Sequence, residues 1–285
     1  MKKVIKYTAL LSGCILTQHL MNRAYFMLMG KRADMPAKPR FKDHFYKWRF
    51  GRIHYKVTGK GEPLIFIHGI YPGADMSQWR GIDPELLKSY RVYAIDLLGF
   101  GRSEKPNTSY SAYLYVRLIC DFIQDIIKKP AVAAASDYSA AYIAMSYIFR
   151  PDLYRKLLLI KPSGFAMGHK MPSLRDCVYK MLLETPVLGT SIYLFLTNKT
   201  IGRHLLEKLW SKRSIASNIP SAISYSAYIG GANARFPISA LFSQYLNVGI
   251  KDKLDKILVP MLILPNDDAL RNLALSSNIT DFLNL

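Results

Sequence analysis

Cysteine is scarce in this chain. Cys14, Cys120 and Cys177 are the only three among 285 residues, too few for a disulfide framework, so nothing in the sequence demands an oxidising compartment. No Cys/His cluster has zinc spacing, and no phosphate-binding loop is visible. Gly99-Phe-Gly101 lacks the third glycine of a dinucleotide fingerprint, so neither a metal nor a cofactor is expected. Histidine is missing altogether after His204. Acid is also in short supply, with 20 Asp/Glu against 39 Lys/Arg and a net charge of +19.

That charge is unevenly spread. Residues 1–60 hold fourteen Lys/Arg and two Asp, a net +12, which leaves +7 for the remaining 225 residues. A basic arm on an ordinary domain meets anionic lipid or nucleic acid by similar electrostatics. Here Lys2, Lys3 and Lys6 precede sixteen uncharged residues, 7–22. The apolar neighbour favours a membrane surface over nucleic acid, and localisation is expected to be membrane-associated through the N-terminus, otherwise cytoplasmic. The run falls short of the roughly twenty residues a spanning helix needs, and Gln18 and His19 interrupt it. Three readings stay open: an uncleaved anchor or membrane-surface helix, a lipoprotein signal at Leu11-Ser12-Gly13-Cys14, or an extra helix packed on the domain.

What the chain does have is size and apolar content. Half of its residues are hydrophobic, enough for one large α/β core with an inserted lobe. Residues 131–151 organise the rest. The small apolar run from Ala131 to Ser136 reads as a strand buried on both faces. The following dozen residues read as a buried helix stopped by Pro151. No loop separates them, so the chain must reverse around Asp137, where the small neighbours Ala135, Ser139 and Ala140 permit close backbone approach. A side chain on such a turn is lifted clear of the sheet.

Three landmarks then coincide: Leu64-Ile-Phe-Ile-His68-Gly69, Tyr93-Ala-Ile-Asp96-Leu-Leu-Gly99-Phe-Gly101-Arg-Ser103, and the turn at Asp137. In this order and spacing the chain resembles the α/β-hydrolase superfamily over residues 45–270. The resemblance implies an α/β-hydrolase fold, a mostly parallel sheet flanked by helices with an inserted helical cap. It divides the chain into an anchor-like segment and linker (1–40), the core (41–164), the cap (165–256) and the C-terminal part of the core (257–285).

Counting back fourteen residues from Pro151, as family members suggest, puts Asp137 at the nucleophile position. A one-residue slip would put Tyr138 there, but aspartate tolerates the positive φ of an elbow better than tyrosine does. The usual serine is therefore absent. Aspartate nucleophiles occur in epoxide hydrolases and haloalkane dehalogenases, whose Asp-Trp-Gly is similar to Asp137-Tyr138-Ser139. Ile70 and Tyr138 stand where dehalogenases place halide-binding Asn and Trp, which disfavours that branch. By the same resemblance the backbone N–H groups of Ile70 and Tyr138 form the oxyanion hole, and His68 is structural. Asp268 fits the triad acid after the seventh strand, with Asp267 as second choice, although two aspartates in a turn are also simple turn formers. The family's general-base histidine should follow well beyond that acid, and none does; His169 and His204 fall in the expected cap.

Two functions stay open. The first is a hydrolase of ester or epoxide bonds with a degenerate site. The second is a pseudo-hydrolase binding a small apolar ligand or a protein under its cap, or else a truncated hydrolase product. The cap aromatics Tyr179, Tyr193, Phe195, Trp210, Tyr225 and Tyr228 are expected to pack or to line an apolar cavity. Strand 259–264 carries no charge, so self-association through an uncovered sheet edge is expected.

Overall fold

The computed structural model describes residues 2–33, 42–79, 86–163, 172–197, 231–264 and Phe282. Seven strands form one sheet: β1 (Lys42–Trp48), β2 (Gly51–Thr58), β3 (Glu62–Ile67), β4 (Tyr90–Ile95), β5 (Ala131–Ser136), β6 (Tyr154–Ile160) and β7 (Met261–Leu264), in the order β1-β2-β4-β3-β5-β6-β7. β1 and β2 form an antiparallel hairpin, β2 meets β4 antiparallel, and every other pairing is parallel.

The central strands are apolar throughout because both faces are covered. Successive side chains point to opposite sides. Ile65, Ile67, Ala133, Ala135, Leu157 and Leu159 join one core cluster. Leu64, Phe66, Val132, Ala134, Leu158 and Ile160 join the other.

The helices are α1 (Lys2–Ala33), α2 (Leu86–Ser89), α3 (Ala112–Phe122), α4 (Tyr138–Phe149), α5 (Leu174–Glu184), α6 (Leu188–Leu196) and α7 (Arg235–Phe242). α3 starts at Ser111, whose side chain accepts from the Leu114 N–H, and runs on into a π-helical turn, Ile123–Ile127. Its expected apolar stripe is core: Leu118 and Phe122 are buried, with Leu114 and Ile126 packed at the edge. Of its tyrosines, Tyr110 and Tyr115 are buried and Tyr113 is exposed. α5, α6 and α7 lie between β6 and β7, the interval expected for a cap.

Two expectations need correction. The hairpin turns at Arg49-Phe50, and Gly51, at φ 147°, opens β2 rather than sitting in the turn. A helix across residues 75–90 does not form. The described residues show only a 3-10 turn, Met76–Trp79, and the short α2, and Tyr90 already belongs to β4.

The N-terminal segment is helical. α1 buries Asn22 and Phe26 and leaves most of its apolar side chains exposed. Among the described residues no helix is long and apolar enough to cross a membrane. At the far edge of the sheet, β7 pairs only with β6 among the described residues, and Ile263 is 45% exposed. The carbonyl of Phe282 accepts from Lys156 Nζ, 3.0 Å away, and Phe282, like Leu262 and Leu264, packs against the second core cluster. The stretches 203–210 and 278–281, with Asp267, Asp268, His169, His204, Trp210, Tyr225 and Tyr228, lie outside the described residues.

Candidate active site

The end of β5 turns into α4 at a single residue, Asp137, with φ 55° and ψ −132°. A non-glycine residue in that region stores strain, which persists only where the surroundings over-determine it. Here the Asp137 N–H donates to the Ile160 carbonyl at 3.1 Å, and its own carbonyl accepts from Ala140 and Ser163 N–H groups, each at 3.2 Å. The small residues expected around it are used for close approach. A Cβ on Gly69 would lie 3.1 Å from Asp137 Cβ and 3.2 Å from Ser136 Oγ.

The loop after β3 lies directly over this turn. Ser139 Oγ donates to the His68 carbonyl at 2.6 Å. Gln78 ties loop to strand, accepting from the Gly69 N–H at 2.9 Å and donating to Ser136 Oγ at 2.8 Å. The outcome is that the Ile70 N–H donates to Asp137 Oδ2 at 3.3 Å. The Tyr138 N–H and the Ser163 side chain also hydrogen-bond the same carboxyl. The two backbone donors expected to form an oxyanion hole therefore both bond the carboxyl of Asp137 itself.

Burial dominates the titration of this carboxyl. It raises the pKa from 3.8 to about 6, against the pull of Ser163, the Tyr138 and Ile70 N–H groups and the Lys161 charge. Part of the residue remains accessible, but the carboxyl itself is enclosed by protein, so desolvation outweighs its donors. Asp137 is ionised at neutral pH yet easier to protonate than an ordinary aspartate.

His68 does not serve as its base. Nδ1 is 2.7 Å from the Gly69 carbonyl and Nε2 accepts from the Leu97 N–H at 3.1 Å, so both nitrogens are taken. Burial lowers its pKa, against Asp96, the Gly69 carbonyl and Asp75, and keeps it neutral. His54 is likewise occupied, between Asp96 Oδ2 at 2.7 Å and Asp43 Oδ1 at 3.0 Å. Asp96 also accepts from the Met76 and Arg102 N–H groups. Burial works against its charge, but these partners hold its pKa below the usual value. Gly101 at φ 47° passes so close that a Cβ there would meet this carboxyl at 2.2 Å. Among the described residues no histidine is hydrogen-bonded to Asp137.

Beside the loop, a small pocket lies between the sheet and the α6–α7 lobe. Gly73, Ala74, Phe100, Lys105, Tyr193 and Ile238 are among its walls. Lys105 Nζ donates to the Gly101 carbonyl at 2.6 Å and the Ser103 carbonyl at 3.1 Å. Its burial lowers the pKa to about 8, partly offset by Asp96 and Asp75. Of the cap aromatics, Tyr193 is buried at this pocket, whereas Tyr179 and Phe195 face outward. Asp268 lies outside the described residues. Sequence reasoning missed Gln78 and Ser163. After β6 the chain turns at Lys161, whose φ is positive, and Ser163 comes back to the elbow.

A parallel-centred sheet with a strained elbow after its fifth strand, roofed by two convergent backbone N–H groups, defines the scaffold class of an α/β hydrolase. A model of the alpha/beta hydrolase family matches residues 64–279, and the chain belongs to that family. It is 34% identical over 116 residues to 2-hydroxy-6-oxo-6-(2'-aminophenyl)hexa-2,4-dienoic acid hydrolase of Metapseudomonas resinovorans, a match covering 40% of each chain. It is 42% identical over 59 residues to the soluble epoxide hydrolase of Corynebacterium sp. strain C12, covering 21% of this chain and 20% of that one. These matches thus span less than half of the relatives' length. Among solved structures, a serine hydrolase involved in carbazole degradation superposes with a TM-score of 0.57 at 21% identity, over 84% of this chain and 87% of that one.

Proposed function

We propose that this chain is a hydrolase of ester or epoxide bonds with Asp137 as nucleophile. One observation carries the reading: the carboxyl of Asp137 accepts from the Ile70 and Tyr138 N–H groups. Held by these donors and by Ser163, the carboxylate attacks carbon through one of its oxygens. With an epoxide, Asp137 forms a C–O bond, the ring C–O bond breaks, and the ring oxygen takes a proton from an acid. Water then attacks the carbonyl of the resulting ester. The negative charge that develops on its oxygen is held by the same two donors, and collapse releases the diol and restores the carboxylate. The first step requires only ionised Asp137, whereas the second needs a base to activate water. Asp268 is the proposed acid partner of that base. The proposed substrate is a small apolar molecule taken up under the α5–α7 lobe.

The alternative is a pseudo-hydrolase that binds such a ligand without turning it over. It is favoured by the full occupation of both His68 nitrogens and of His54. A single experiment separates the two readings. The protein is incubated with styrene oxide, its intact mass is followed over time, and diol is assayed in parallel. An adduct on Asp137 that persists, absent in Asp137→Asn, identifies a nucleophile without a working base. Steady diol formation that is lost in Asp137→Asn identifies the enzyme. No adduct and no diol leave only the binding reading.

A further inference from the structure

α5 is an amphipathic helix turned inside out. Leu174, Val178, Met181 and Leu182 recur at i, i+4, i+7 and i+8, the spacing of one helix face, and that face is exposed. Leu174 is 88% accessible and Met181 64%. Its inward side carries Asp176, which caps the helix through Ser173 and accepts from Gln244 Nε2 at 3.2 Å. Burial would normally reverse the two sides.

The neighbouring helices continue the pattern. α5 packs on α6, and α6 packs on α1. α6 exposes Leu188 and Phe195. α1 is fastened to α6 by Asn22 Nδ2 donating to Ser191 Oγ at 3.1 Å, and by Phe26 stacked on Tyr193 with centroids 6.5 Å apart. Its exposed side chains include Ile5, Leu10, Leu11, Leu16, Leu20 and Met21, which at 100° per residue point all round the helix. Packing on α6 covers only the side that carries Asn22 and Phe26.

The charge on α1 has one sign. Residues 1–33 contain six Lys/Arg and no acid. On α5, Arg175 is exposed, Asp176 is buried, and Glu184 is tied to Lys180 and Ser239. Outward apolar and tyrosine side chains among cations are what an anionic bilayer surface receives. We infer that the α1–α5–α6 face docks on an anionic lipid bilayer, so that the lobe over the pocket, and not the N-terminal helix alone, lies against the membrane. This inference does not rest on Asp137 being reactive.

The full chain is sedimented with phosphatidylcholine vesicles made with or without phosphatidylglycerol. Binding to the anionic vesicles is expected to exceed binding to the neutral ones and to weaken with salt. A Val178→Asp/Met181→Asp double variant replaces exposed residues, and circular dichroism checks that it folds as the wild type does. It is expected to lose about tenfold or more in vesicle affinity, since two buried apolar contacts become charged. Wild-type protein left in the supernatant of anionic vesicles overturns the proposal. So does a double variant that binds like wild type, because α5 then has no part in docking. Light scattering supplies the remaining outcome: a lipid-free dimer that the double variant turns into a monomer gives the face to a second copy and overturns the proposal.

Discussion

α4 and α5 are nearly equal in length and opposite in fate. Ten of the twelve residues of α4 are buried, against two of the eleven of α5. α4 has alanine and serine where the elbow needs close approach, and its large side chains are tied down: Tyr142 Oη donates to the Leu246 carbonyl at 2.9 Å. α5 has Leu174, Val178, Met181 and Leu182 on the solvent side and buries Asp176 and Leu183. The comparison teaches that burial here follows position relative to the sheet rather than hydrophobicity. The core needs a thin, small-residue helix beside β5, while the lobe over it keeps an apolar face for something else.

The contrast is most sharply tested in α4. Tyr142→Ala removes a fully buried aromatic ring and leaves the Leu246 carbonyl unpaired. It is expected to cost about 3–5 kcal/mol, read as a fall in the urea midpoint. A loss below about 1 kcal/mol would mean that α4 is no more firmly held than α5.

The turn that starts α4 makes a prediction of opposite sign. Asp137 has a folded-state pKa of about 6 against an ordinary 3.8, so the folded protein holds the proton more tightly than the unfolded chain does. Its contribution to stability is therefore best at low pH and is lost as pH rises through about 6. Asp137→Asn removes the cost of burying the charge. At pH 7 it is expected to stabilise the fold by about 2 kcal/mol, with the difference vanishing below about pH 4. Urea unfolding of both proteins across this pH range measures it. Equal stability at neutral pH would show that the surrounding N–H groups fully compensate the carboxylate.

The smallest effect is expected on α5. Met181→Ala trims a side chain that touches mostly solvent, and the urea midpoint should move by no more than about 0.5 kcal/mol. A cost comparable to that of Tyr142→Ala would show the outward face of α5 to be covered within the protein itself. The lipid-docking inference would then lose its surface.

Much of the scaffold was legible in the residues. The small-residue strand, the absence of any loop before α4 and the Arg150-Pro151 stop place the elbow at Asp137. Continuous apolar runs place β3, β4 and β6 to within two residues. Within the site, Ile70 and Tyr138 were legible because backbone donors follow from chain position alone. Gln78 and Ser163 were not, since a single amide or hydroxyl carries no periodic signal.

The sequence by itself determined the sheet, the elbow and the identity of the residue on it, because these depend on local spacing, small side chains and backbone geometry. Only the tertiary structure decided that the Ile70 and Tyr138 N–H groups meet the carboxyl of Asp137, that both nitrogens of His68 are consumed by the backbone, and that α5 faces Leu174 and Leu182 outward. Each of those outcomes depends on groups far apart in the chain meeting at one place, and the physical reason is burial. What surrounds a side chain sets its hydrogen bonds and its charge, and no window of sequence contains its surroundings.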